Sequence, residues 1–285
     1  MDATAQTLIV NALEQRWETY RTQLKACRSE FSEEAVHDLR VAARRMLALI
    51  EVLRGTHPHP RLQKLRRAFK NQLDSFDDLR DTQVMLVEIS ENLHTLPELA
   101  ALQKYLQKRE KRLLRAAEKQ VQDFETGGMA RRVSKCHESL LAEPTEGLAA
   151  RILQVVDDAF LTVTQRYRWI DPAQAATIHR VRVAFKKFRY MVEVIHPLLP
   201  DFPPKLLKRL HAYQTAMGDI QDVEVFLQTH ADFAAREPDY DPHPVRLFYE
   251  RRHAELITTF IQDMHEVHTF WRATPEHPFP WEMPA

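Results

Sequence analysis

Apolar residues recur along this chain at spacings of three and four, the period of a helix with one face turned inward. Proline and glycine interrupt the pattern at well-separated points. The intervals between them predict helices at about 4–27, 33–54, 61–91, 98–125, 147–168, 174–196, 204–230 and 245–272, with a shorter connecting helix near 129–141. Ser32, followed by Glu33 and Glu34, has the form of a helix N-cap and places a boundary inside the long first stretch. The proline-rich end, from Thr274 on, is expected to lie extended on the surface or to be disordered.

Eight main helices invite a search for an internal repeat. His37-Asp-Leu-Arg40-Val-Ala-Ala-Arg44-Arg45-Met46 recurs 142 residues later as His179-Arg-Val-Arg182-Val-Ala-Phe-Lys186-Lys187-Phe188, and Ile50-Glu51-Val52 recurs as Val192-Glu193-Val194. Downstream, Phe76-Asp-Asp78-Leu-Arg80-Asp81 aligns with Met217-Gly-Asp219-Ile-Gln221-Asp222 at an offset of 141. The expected architecture is all-α, two four-helix bundles related by an internal pseudo-twofold, with residues 1–142 forming one half and 143–285 the other.

On a helical wheel the repeated segment is two-faced. Leu39, Ala43, Met46, Ile50 and Leu53 share an apolar arc, and His37, Arg40, Arg44 and Glu51 lie opposite, within about 60° of one another. The second copy places Val181, Phe185, Phe188, Val192 and Ile195 on the apolar side and His179, Arg182, Lys186 and Glu193 on the polar side; Arg45 and Lys187 flank the two rows. A solvated surface needs charge but no particular order, so recurrence of residue type at fixed spacing favours a function.

Composition sharpens this picture. The 285 residues contain only 5 glycines, too few for a hairpin-rich sheet protein or a glycine-rich phosphate loop, while good helix formers abound. The 40 basic and 40 acidic residues exclude a uniformly basic protein. Charge is nevertheless segregated: residues 37–70 hold nine basic and two acidic side chains, 179–211 eight and two, and 219–241 seven acidic and one basic. Two cationic surfaces brought together would suit a polyanion charged along its length. Cys27 and Cys136 form no CxxC pair, and there is neither a signal-peptide start nor an apolar run of membrane-spanning length, so a cytoplasmic location is expected.

The two His-x-x-Arg-x-x-x-[Arg/Lys]-[Arg/Lys] segments, each followed by an Asp-x-x-Asp element (Asp78/Asp81 and Asp219/Asp222), closely resemble the CHAD family, the conserved histidine α-helical domain. The resemblance extends from about residue 4 to 272; it departs at Asp77, where the family usually has the glycine that the second copy retains as Gly218. It implies a helical fold that binds inorganic polyphosphate between its halves, and association with polyphosphate granules in bacteria. By that analogy His37, Arg40, Arg44, Arg45, His179, Arg182, Lys186 and Lys187 would line the site, with Arg189, Lys64, Arg67, Lys70, Lys205, Lys208 and His211 as further basic candidates. Arginine offers a fork for two phosphoryl oxygens, lysine a mobile point charge, and histidine a donor that gains charge as pH falls. Asp78, Asp81, Asp219 and Asp222 are expected to orient the basic side chains. No phosphate-loop, nucleophile-elbow or zincin motif is present, His265-Glu-Val-His268 having the wrong spacing, so neither catalysis nor a cofactor is expected. Two other readings use the same rows. A metal site at His37 and His179 suffers from cationic neighbours, and nucleic-acid binding lacks exposed aromatics, Tyr190 being the one on the basic face.

Overall fold

The computed structural model describes residues 2–283, and every regular element among them is helical. Ten α-helices follow in order: α1 (Asp2–Ser29), α2 (Glu33–Thr56), α3 (Pro60–Asp74), α4 (Asp77–Asn92), α5 (Leu99–Asp123), α6 (Gly127–Leu141), α7 (Leu148–Tyr167), α8 (Ala175–Ile195), α9 (Leu206–Ala234) and α10 (His243–Asp263). The Ser32 hydroxyl accepts from the Ala35 amide at 3.2 Å, and Glu33 and Glu34 occupy the first turn of α2, where the helix dipole favours negative charge.

The expected helix at 61–91 is in fact two. The Ser75 hydroxyl donates to the Gln72 carbonyl at 2.6 Å, competing for the backbone at the end of α3. The chain restarts at Asp77-Asp78, an acidic pair suited to a new first turn. The corresponding stretch of the second copy stays unbroken as α9, passing through Gly218. The helix expected over 245–272 ends at Asp263 and gives way to a short 3-10 turn.

The end of the chain is not a loose surface strand. Phe279 and Trp281 stack with ring centroids 4.6 Å apart, Phe279 meets Trp271 edge-on, and Trp271 meets Phe188 of α8. The Trp271 indole and the Arg272 guanidinium both donate to Asp157 of α7, at 2.7 Å and at 2.9 and 2.6 Å. Aromatic burial anchors this segment despite its prolines. The expectation for Pro284 and Ala285 lies outside the described residues.

The wheel assignments of the apolar faces hold. Leu39, Ala43, Met46, Ile50 and Leu53 of α2 and Val181, Phe185, Phe188, Val192 and Ile195 of α8 are all buried, each such large side chain contributing about 1.5–3 kcal/mol relative to exposure. The two helices meet directly and share one large core with α1, α3, α6, α7 and the first half of α9. A smaller cluster joins α4 and the start of α5 to the rest of α9 and α10. The apolar interior is therefore continuous across the midpoint of the sequence, and Cys27 and Cys136 lie in it as free thiols.

Candidate polyanion site

The packing of α2 on α8 brings the two polar rows towards each other. At their centre lie Arg44 of α2 and Arg182 and Lys186 of α8, all half-buried. Burial and the neighbouring guanidinium groups of Arg44 and Arg182 push the Lys186 ammonium down to about 8. Arg182 is shifted down in the same way, by burial first, with Arg80 and Arg44 adding to it and Asp222 opposing. Among the described residues, Nε of Arg182 and Nδ1 of His179 are buried without a hydrogen-bond partner. His179 is half-buried and His37 is exposed.

Arg40 sits differently from its counterpart. Its side chain is only 6% exposed; it donates to Asp77 at 3.0 Å and to the Leu73 carbonyl at 3.4 Å, and its guanidinium lies 6.0 Å from the Phe76 ring centre. Burial and Arg44 push its pKa down, while Asp77 opposes that shift.

Arg45 and Lys187 are engaged across the helix pair. Lys187 reaches Glu51 at 3.4 Å and Arg45 reaches Glu193 at 3.9 Å, a basic residue and a glutamate at equivalent sequence positions exchanged between the copies. Burial alone would raise the Glu51 pKa, but contacts from Arg66, Lys187 and Arg54 hold it low. Arg189 corrects the sequence expectation. It is buried, donates to Gln214 at 2.8 Å, pairs with Glu193 and lies 4.1 Å from the Tyr190 ring centre, so it stiffens α8 against α9 instead of facing a groove. Tyr190 is half-buried beneath it, and Phe185 and Phe188 are fully buried. Lys64, Arg67 and Lys70 of α3, Lys205 at the start of α9, and Lys208 and His211 within it are exposed; Lys70 pairs with Asp74 at 2.5 Å.

The Asp-x-x-Asp elements act mainly on a residue outside the predicted rows. Arg80 of α4 donates to both oxygens of Asp222 on α9, at 2.9 and 3.0 Å, and to Asp81 at 3.0 Å. Burial would depress its pKa, but the two carboxylates outweigh burial and raise it. The last aspartate of each copy thus converges on one guanidinium and ties α4 to α9. Asp78 contacts Arg109 of α5 at 3.5 Å, and Asp219 has its pKa raised by burial and by Asp222. Arg80, Asp77 and Arg16 are the contributors that the wheel did not select. Arg16 of α1 donates to the Arg45 carbonyl at 2.8 Å, and burial lowers it to about 10. With Arg45, Glu193 and His196 it lines a cleft of about 410 Å³.

The family model described as the CHAD domain matches residues 11–231. The chain belongs to the CHAD family. The crystal structure of the CHAD domain from the plant Ricinus communis superposes with a TM-score of 0.66 over 93% of this chain and 89% of that one, at 19% identity, a likeness of fold. No curated protein matches the chain. In this CHAD domain, no cluster of three or more His, Cys, Asp or Glu side chains able to hold a metal ion occurs among the described residues, and no helix among them is long and apolar enough to cross a membrane.

Proposed function

We propose that this CHAD domain binds inorganic polyphosphate without catalysing a reaction on it, in a basic groove where α2 meets α8. The observation that carries this reading is the excess of half-buried cations there: Arg44, Arg182 and Lys186 lie together with Nε of Arg182 and a ring nitrogen of His179 left over. An unpaired buried donor and crowded like charges are costly, and a chain of phosphates would relieve both. The exposed cations on α3 and α9 extend the positive surface beyond this centre. A cation would be repelled from His37 and His179 by the arginines around them, and with Phe185 and Phe188 buried and the Tyr190 ring covered by Arg189, the basic rows present no open stacking platform for bases among the described residues.

Residues 1–142 and 143–285 are read as two helical halves related by a pseudo-twofold passing between α2 and α8. The exchanged pairs Lys187–Glu51 and Arg45–Glu193 support this, because a twofold contact repeats each interaction with the partners reversed. In a cell the protein is expected in the cytoplasm, gathering on polyphosphate granules.

Titration of the full chain with polyphosphate of defined length, at several salt concentrations, tests the reading. Affinity should fall with salt by a slope of roughly −0.7 per phosphate contact if the single-strand nucleic-acid value transfers. RNA of equal charge should compete poorly, and Zn²⁺ should not bind at the histidines. Salt-independent binding, or equal competition by RNA, would overturn it.

A further inference from the structure

The repeat exposes an inequality between its copies. Arg40 and Arg182 are equivalent positions, and Asp77 in the first copy is matched by Gly218 in the second. The break between α3 and α4 sets Asp77 as the first residue of α4, with its carboxylate 3.0 Å from Arg40. Asp77 is 59% exposed and Arg40 6%, so the carboxylate covers the guanidinium from the solvent side. In the second copy α9 runs unbroken and the Arg182 guanidinium lies against buried Gly218: a Cβ added there would come 3.7 Å from Nε and 3.8 Å from Nη2. Arg182 has no carboxylate of its own in that place. Of the acids that influence it, Asp81 and Asp222 are engaged by Arg80, and Asp219, which also acts on it, makes no hydrogen bond or ion pair with it.

Resting on the assignment of the groove to polyphosphate, we propose that Asp77 is a built-in competitor for the phosphate chain. Its carboxylate occupies the Arg40 guanidinium, so the first-copy half of the groove is partly closed and the second-copy half, at Arg182, is open. Phosphate enters at Arg182 and Lys186 and must displace Asp77 to gain Arg40. The affinity of the site is thereby set by one carboxylate that the second copy lacks.

The test is a swap. Asp77→Asn keeps the shape of the side chain and removes its charge; Asp77→Gly copies the second half. Either should tighten polyphosphate binding by about two- to fivefold, the scale of one partly exposed ion pair given up by the competitor. The salt slope should also steepen by about 0.7, as Arg40 takes up a phosphate. Gly218→Asp places a carboxylate beside Arg182, where a Cβ meets only ordinary contacts. It should weaken binding by a similar factor and flatten the slope, and the double exchange should return near the starting affinity. If the unmutated chain binds polyphosphate and Asp77→Asn binds with unchanged affinity and slope, Asp77 is a structural partner of Arg40 and the proposal falls alone. If the folded, unmutated chain does not bind polyphosphate, the functional reading falls and takes this proposal with it.

Discussion

On the proposed reading, Lys186 should make polyphosphate affinity depend on pH between about 7 and 9. Its pKa lies at about 8 because it is buried and faces Arg44 and Arg40 of α2 and Arg182 of its own helix, with only Asp77 of α4 opposing. Bound phosphates would reverse that environment and restore the ordinary value near 10.5. Binding above pH 8 therefore requires uptake of a proton. Between pH 7 and pH 9 the affinity should fall about tenfold, close to one factor of ten for each unit above the free pKa. The sign for folding is opposite. A lysine with a lowered native pKa binds fewer protons folded than unfolded between about 8 and 10.5, so the stability of the free protein rises with pH through that window. Calorimetric titrations in two buffers of different ionisation enthalpy would report up to one proton taken up per site at pH 9 and nearly none at pH 7. Lys186→Arg, which keeps the charge at every pH, should abolish both the uptake and the decline in affinity. An unmutated protein with a flat profile from pH 7 to 9, or a Lys186→Arg variant with the same decline, would refute the reasoning.

Three further outcomes separate binding from packing. Arg44→Glu combined with Lys186→Glu should cut polyphosphate affinity by at least about a hundredfold, since each reversal replaces attraction with repulsion; melting should hardly change, because the new carboxylates face Arg40 and Arg182. Phe188→Asp should unfold the protein, because this fully buried ring packs on Phe160, Phe185 and Trp271 and an unpaired charge there is expensive; circular dichroism would show the loss. Trp281→Ala removes the stack on Phe279 and should cost about 2 kcal/mol in a denaturant melt, with polyphosphate titrations unchanged.

Most of the helices could be read from the sequence because punctuation and periodicity agree. The break at Ser75-Phe76 could not, since the apolar period continues through it and the deciding event is a hydroxyl bonding back to Gln72. The end of the chain was misjudged for a related reason: proline content argues for an extended segment, but Phe279 and Trp281 carry enough apolar surface to bury it. The cationic rows were legible because they recur. Their depth was not, because a wheel gives direction about one axis and says nothing of what a second helix lays over it. Arg40 falls on the polar arc and Arg189 at its edge, and both are nonetheless buried. The glutamates that take Arg45 and Lys187 did leave a trace, each standing six residues after the basic residue that its opposite number engages.

The placement of the carboxylates is the strongest reason to treat the α2–α8 cations as a binding surface. Arginines and lysines elsewhere in the chain show how this fold neutralises positive charge when structure alone is at stake: Arg80 has Asp81 and Asp222, Arg272 has Asp157, Arg252 has Glu88 and Arg189 has Glu193. The cations at the crossing are served unequally. Arg40 receives Asp77, whereas Arg182 and Lys186 are left with their charged forms disfavoured by burial and by one another. Packing gains nothing from that arrangement, because an apolar residue in either place would avoid the desolvation cost. An anion reverses the balance: the crowding that destabilises the free site becomes attraction summed over several charges, and the unused nitrogens acquire acceptors. On the proposed reading that anion is a polymer of phosphates, since the unpaired positions follow one another along α8 and the remaining exposed cations continue on either side.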